Sequence, residues 1–419
     1  MVPRVGQRDA PTMTHSEAAN DEGMPARETG PGRILGALAR LTNVGSLPLI
    51  IGLVIVWGVF EAISPVFLTS RNLVQLLLQL SPVGVIALGI VFTLLVAQID
   101  LSVGSMSGVA AAILAILVVE AGLPVAVAII AAILAGVLVG GIYAVAFNRL
   151  GVPSFVATLA GLLALLGLQL SFLGNSGAMN LPFHSFLGEF GNTAFLPAWL
   201  AYGLAAAAAG VVFWLGWSTR RARHAVGLRA RPLAQVIGVA IATLVALEVI
   251  VWYLERDRGV AWMFAFFLGL VIASEYLLKY TKWGRAIYAV GGNVEAARRA
   301  GIKVERVYLF CFVACSVLAA TGGVLFAANN VSANLQTGTG TVNLDAIAAA
   351  VIGGTSLFGG RGSAYSALFG MLVIQSITNG LALVSPSPDM LFIVTGVVLF
   401  LAVTLDAVTR RARKAQGRA

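Results

Sequence analysis

Twelve apolar runs divide the 419-residue chain, at about 47–63, 73–96, 101–119, 123–147, 153–173, 195–217, 233–254, 262–279, 307–327, 343–359, 364–384 and 390–407. A helix needs roughly 20 apolar residues to cross a bilayer. The pattern therefore predicts an all-α polytopic membrane protein with about twelve transmembrane helices. Composition agrees: 59% of residues are hydrophobic and only 11% are charged. Soluble domains carry about 25% charged residues, so a water-soluble globule is excluded. The 47 glycines suit helices that approach one another closely in lipid. The runs at 101–119 and 343–359 are rich in Gly and Ser, which marks them as candidates for broken or re-entrant helices.

The net charge of +9 raises the question of nucleic acid, but its distribution answers it. With the N-terminus placed inside and the spans alternating, 24 Lys and Arg fall in inner stretches. Only Arg71, Arg256 and Arg258 fall outside. That is the positive-inside pattern of a membrane protein, with both termini cytoplasmic. Residues 1–30 are polar and lack the apolar core of a secretory signal. Residues 1–44 read as a disordered cytoplasmic tail, 45–408 as the transmembrane domain and 409–419 as a basic cytoplasmic tail. Cys311 and Cys315, four apart in an apolar run, suit buried packing and build neither a disulfide framework nor a metal cluster.

The longest basic inner loop, 280–306, contains the stretch Tyr288 to Ile302. Asn293 can cap a helix beginning at Val294. Glu295 suits the first-turn dipole, and Gly301 can close the helix in a left-handed conformation. Two turns of helix with a small-residue face form either a protein-docking knob or an ordinary interfacial helix.

A second stretch, Ala348 to Ser363, carries the pairs Gly353-Gly354 and Gly359-Gly360 at a membrane boundary. It lacks the Lys and the spacing of a phosphate loop. It reads as a tight turn between packed helices, or as a hinge lining a path.

Polar residues inside the apolar runs are functional candidates by default. Gln98, Asp100 and Ser102 stand at one segment end. Asn343 and Asp345 stand at another, and Gln375 and Asn379 lie within a third. For each, a pathway role competes with helix capping or helix–helix hydrogen bonding. Ile99–Ser102 and Val342–Asp345 each precede a small-residue helix, which makes them a candidate inverted repeat. Chance similarity between membrane helices accounts for that short match equally well. Glu275 and Lys279 have the order and spacing of a helical ion pair. The three histidines, His15, His184 and His224, are scattered, and no catalytic constellation is visible.

Taken together, Ile99–Ser105, Tyr288–Ile302, Leu344–Ser363 and Ile377–Val384 resemble the membrane permease subunit of sugar-importing ATP-binding-cassette transporters of the ribose/xylose type. Order and separation match over roughly 45–408. The likeness is greatest to the xylose-type members. Three apolar runs stand where the shorter ribose type has one helix, so an extra helix pair lies within 195–261.

The resemblance implies import of a monosaccharide, a pentose such as xylose, across the bacterial cytoplasmic (inner) membrane. It implies four kinds of partner: a cytoplasmic ATP-binding subunit, a periplasmic sugar-binding protein, a second permease copy as a homodimer, and the lipid bilayer. Nucleic acid is not among them. ATP and Mg belong to the partner ATPase, and this chain is expected to bind no cofactor and to be no enzyme. Gly292, Asn293, Glu295, Ala296, Ala297 and Gly301 correspond to the ATPase-coupling helix. Asn343 stands where relatives often carry an acid, two positions before Asp345. The competing class is an ion-coupled secondary sugar transporter, for which Asp100 and Asp345 are the candidate coupling carboxylates.

Overall fold

The computed structural model describes residues 47–384 and isolated positions between 390 and 400. The tails at 1–44 and 409–419 lie outside the described residues, as does most of the apolar run at 390–407.

Among the described residues, nine helices are long and apolar enough to cross a membrane. In chain order the helices are α1 (Leu47–Ile63), α2 (Ser70–Leu95), α3 (Val103–Ala115, continued by a π turn over Ile116–Glu120), α4 (Val125–Leu150), α5 (Ser154–Leu173), α6 (Phe186–Asn192), α7 (Ala198–Ala225) and α8 (Leu233–Leu254). Then come α9 (Trp262–Tyr280), α10 (Lys282–Gly292), α11 (Val294–Arg299), α12 (Val304–Asn330), α13 (Val342–Ile352) and α14 (Tyr365–Leu383). The two strands, β1 (Ala178–Asn180) and β2 (Ser332–Asn334), pair antiparallel. Every apolar run within the described residues contains a helix. The run at 343–359 yields only the 11-residue α13, followed by turns. At 1.5 Å per residue that rod is about 16 Å long, half of a hydrocarbon core of about 30 Å.

Burial separates inner from outer helices. The apolar window of α2 is 89% buried, whereas that of α8 is 11% buried. α2 packs against α12, α13 and α14, and α12 also packs against α3 and α4. Gly136 and Gly140 on α4 set its backbone against the α12 carbonyls of Ser316 and Phe312, a close approach that larger side chains would block. α7 and α8 pack mainly on each other and leave Trp214, Ile241 and Val245 exposed. Such apolar faces are stable only in lipid.

Hydrogen bonds gather the connections at two ends. At one end, Ser70 donates to Leu254 O and Tyr253 to Leu68 O. Leu196 N donates to Val260 O and Leu181 N to Val331 O at the same end, where β1 pairs with β2. At the other end, Gly360 N donates to Leu95 O, Tyr288 to Gly362 O and Asn148 to Glu305 O. The long helices therefore alternate in direction from α2 to α12. Both α12 and α14 start at the basic end, because the short α13 and the turns after it return the chain there between them. Fourteen of the 17 Lys and Arg in 47–384 fall at the second, basic end.

Two segments break this regularity. α2 stops at Leu95, and residues 96–102 run without helical structure to the start of α3, with Ala97 in the left-handed region at φ +57°. Residues 335–341 likewise lead without a helix from β2 to α13. The N-termini of α3 and α13 meet, and from there the two helices run to opposite ends.

Candidate functional site

The basic loop forms the shape its residues predict. Asn293 adopts extended backbone, and its side chain accepts the Ala296 amide at 2.9 Å, which caps α11. Gly301 takes φ +81°, and its amide donates to Arg298 O while Ile302 N reaches Ala297 O. That closure satisfies carbonyls at the helix end. Glu295 pairs with Arg298 at 3.0 Å, with both side chains exposed. Ala297 is buried, Val294 is half-buried, and Gly292, Asn293, Ala296 and Gly301 are exposed. α11 is thus a short, double-capped, charged knob with one small-residue face against the protein.

The loop that carries α11 is fastened to the core by backbone. Gly291 lies against the carbonyl of Leu95, the last residue of α2, and a Cβ there would overlap that oxygen. The same carbonyl accepts the Gly360 amide at 2.9 Å. Gly359 packs against Ala97, and Gly353 against the Ser366 carbonyl, while a Cβ on Gly354 would meet open space. Tyr288 donates to Gly362 O at 2.8 Å. Burial, with Glu275 nearby, pushes its hydroxyl up to about 12, so it stays a donor at neutral pH. Glu275 accepts the Ala364 amide at 2.8 Å and pairs with Lys279 at 2.6 Å.

The second site is the junction of the two broken helices. The Gly104 amide donates to Asn343 Oδ1. Gly338, at φ +73°, rests on Gly104 O and the Ser107 hydroxyl. Gln169 on α5 donates to Asn334 O at 2.9 Å and to Thr337 O at 3.0 Å, which holds the 334–341 segment against α3. Its Oε1 is buried without a hydrogen-bond partner and faces Gly108.

The polar residues singled out in the sequence divide between these elements. Asp100 is fully buried, and its Oδ1 accepts the Ser102 amide at 2.8 Å and the Ser102 hydroxyl at 2.7 Å. That bonding shapes the entry into α3. The half-buried Gln98 reaches Val96 O at 3.4 Å, and Asp345 is buried on the first turn of α13. Gln375 and Asn379 are not at the junction. They bond Gln79 at 3.1 Å and Asn72 at 2.8 Å, joining α14 to α2.

Sequence reasoning missed Gln169, Thr337, Gly338 and Gly291. A lone amide in the apolar run at 153–173 and the Thr337-Gly338-Thr339-Gly340-Thr341 run were the available signals. Among the described residues no group of three or more His, Cys, Asp or Glu is placed to hold a metal.

Among the described residues, nine helices long and apolar enough to span, two breaks inside the bundle and a structured knob on one basic face define a multi-pass membrane protein. Residues 72–403 match the family described as branched-chain amino acid transport system / permease component, and the chain belongs to that family. The xylose transport system permease protein of Escherichia coli K12 is 36% identical over 349 residues, 82% of this chain and 87% of that one. Its namesake in Haemophilus influenzae is 34% identical over 374 residues, 87% and 96% of the two chains. The ribose import permease protein of E. coli K12 is 32% identical over 358 residues, 85% and 92%. No solved structure matches the chain.

Proposed function

We propose that this chain is the permease subunit of an ATP-binding-cassette importer that carries a monosaccharide, a pentose such as xylose, inward across the cytoplasmic membrane. The observation that carries this reading is α11, a helix of six residues capped at both ends and presented on the basic face. A permease driven by a separate ATPase needs such a rigid contact, and a freely working carrier does not. Gly292, Asn293, Glu295, Ala296, Ala297 and Gly301 form the knob that enters the ATPase groove. ATP and Mg stay on that partner.

In this reading the chain has twelve spans with both termini at the basic, cytoplasmic end. A second copy completes the path, and a periplasmic sugar-binding protein delivers the sugar to the opposite end. Affinity resides in the delivering protein, so the path needs weak, uncharged polar groups. The Gly104–Asn343 junction supplies amides and small residues of that kind. Asp100 and Ser102 hold the α3 entry beside it, Gln98 and Asp345 flank it, and Gln375 and Asn379 fix α14. The Gly353-Gly354 and Gly359-Gly360 turns serve as hinges.

Proteoliposomes containing the chain, the ATP-binding subunit and the sugar-binding protein test this function. ATP-dependent uptake of labelled xylose is expected. Accumulation by the purified chain alone on a proton or sodium gradient overturns it.

A further inference from the structure

Resting on the reading of the chain as an ATPase-driven permease, we infer that Gly291, Leu95 and Gly360 form a joint that passes movement of the coupling loop into α13, and through α13 to the Gly104–Asn343 junction. At Gly291, Leu95 O and Gly360 three chain segments meet through backbone atoms. Gly291, next to the end of α10, lies on Leu95 O, and a Cβ there would also crowd Gly360 N. Gly360 donates to the same oxygen and lies against Gly292 Cα. A side-chain contact can absorb a shift by changing rotamer. A backbone contact at van der Waals distance cannot, and close-packed interiors transmit strain.

The segments meeting there are not interchangeable loops. One is α10, continuous with the α11 knob. One is the point where α2 ends, and two residues on Ala97 holds a left-handed conformation that is strained for a non-glycine residue. The third is the turn after α13. α13 itself is braced along α14, where Gly353 meets Ser366 O and Gly370 meets Ala349 O, again backbone on backbone. Its far end holds Gly104 N through Asn343. A rod about 16 Å long therefore leads through the turn at 353–359 to the joint at one end and reaches the junction at the other. There the 334–341 segment rests on α3 under the Gln169 amide. Gly291 and Gly360 are positioning residues, acting on the path through α13.

The test uses the full complex in proteoliposomes, with Gly291→Ala and Gly360→Ala. Gly141→Ala on α4 is the comparator, because a Cβ there meets no atom within 4 Å. In the two joint variants, sugar moved per ATP hydrolysed is expected to fall at least tenfold while the ATPase still copurifies. Coupling within twofold of the unaltered chain overturns the inference.

A second readout does not depend on how those variants fold. Cys311 and Cys315 are fully buried, so a thiol introduced by Gln336→Cys, at an exposed position, reports on the 334–341 segment with little background. Its maleimide labelling rate is expected to change at least threefold during ATP turnover, and an unchanged rate overturns the inference. Sugar uptake by the unaltered chain that needs no ATP removes the importer reading itself, and the joint with it.

Discussion

Asn343 and Gly104 stand 239 positions apart in the chain, and the Asn343 side chain accepts the Gly104 amide proton. This bond ties the first turn of α13 to the first turn of α3, the two helices that start inside the bundle. Both helix N-termini favour negative charge nearby, worth about 0.3–1 kcal/mol each. Asn343→Asp keeps an acceptor and adds that charge, so sugar uptake within threefold of the unaltered chain is expected. Asn343→Leu removes the acceptor and should lower uptake roughly tenfold, equivalent to about 1.4 kcal/mol. Equal uptake by both variants would remove the junction from the transport path.

Gly301→Pro attacks the coupling knob without touching the membrane core. Proline holds φ near −65°, roughly, whereas Gly301 needs φ +81° and donates its amide to Arg298 O. The variant should insert in the membrane normally, yet ATP hydrolysis by the complex should no longer drive uptake. Glu295→Trp, which removes the ion pair to Arg298 and adds bulk, should act in the same direction. Normal ATP-driven uptake by Gly301→Pro would count against α11 as the coupling element.

Glu275 does two jobs at the basic end, and only one depends on its charge. Lys279 is 54% exposed, so the ion pair is screened and contributes little. The bond from the Ala364 amide is buried. Glu275→Gln retains an acceptor and should leave thermal stability in detergent nearly unchanged. Glu275→Ala leaves that buried amide unpaired, at a cost of about 1–3 kcal/mol. A similar melting temperature for both variants would show that the Ala364 bond does not hold the start of α14.

Asn72 and Asn379 link α2 to α14 through one amide–amide bond at 2.8 Å. Interhelical bonds of this kind average about 0.6 kcal/mol and reach about 1.7 kcal/mol in lipid. A double-mutant cycle with Asn72→Ala and Asn379→Ala, read by unfolding in micelles, should give a coupling energy in that range. Zero coupling would free Asn379 for a role in the path.

The sequence makes the spans and the knob readable for the same reason: both are local. Apolar runs of about 20 residues report crossings directly. Asn293, Glu295 and Gly301 mark one short helix through capping rules that act over a few residues. The junction and the joint depend instead on distant segments. Nothing near Gly291 reveals that Leu95 O lies against it, and nothing near Gln169 names Thr337 as its partner. Gln375 and Asn379 show the limit from the other side. Their spacing leaves a pathway and a helix–helix bond equally open, and only the partners Gln79 and Asn72 show what they touch. The short α13 is legible in part, because the Gly- and Ser-rich run at 343–359 marks a broken helix and the Gly353-Gly354 pair a turn, and its helix stops at Ile352.

The decisive measurement is uptake of labelled xylose into proteoliposomes holding this chain with its ATP-binding subunit and sugar-binding protein, driven by ATP alone or by an ion gradient alone. Accumulation should appear only with ATP and both partners present. Accumulation by the chain alone, on a proton or sodium gradient without ATP, would contradict its role as an ATPase-driven permease.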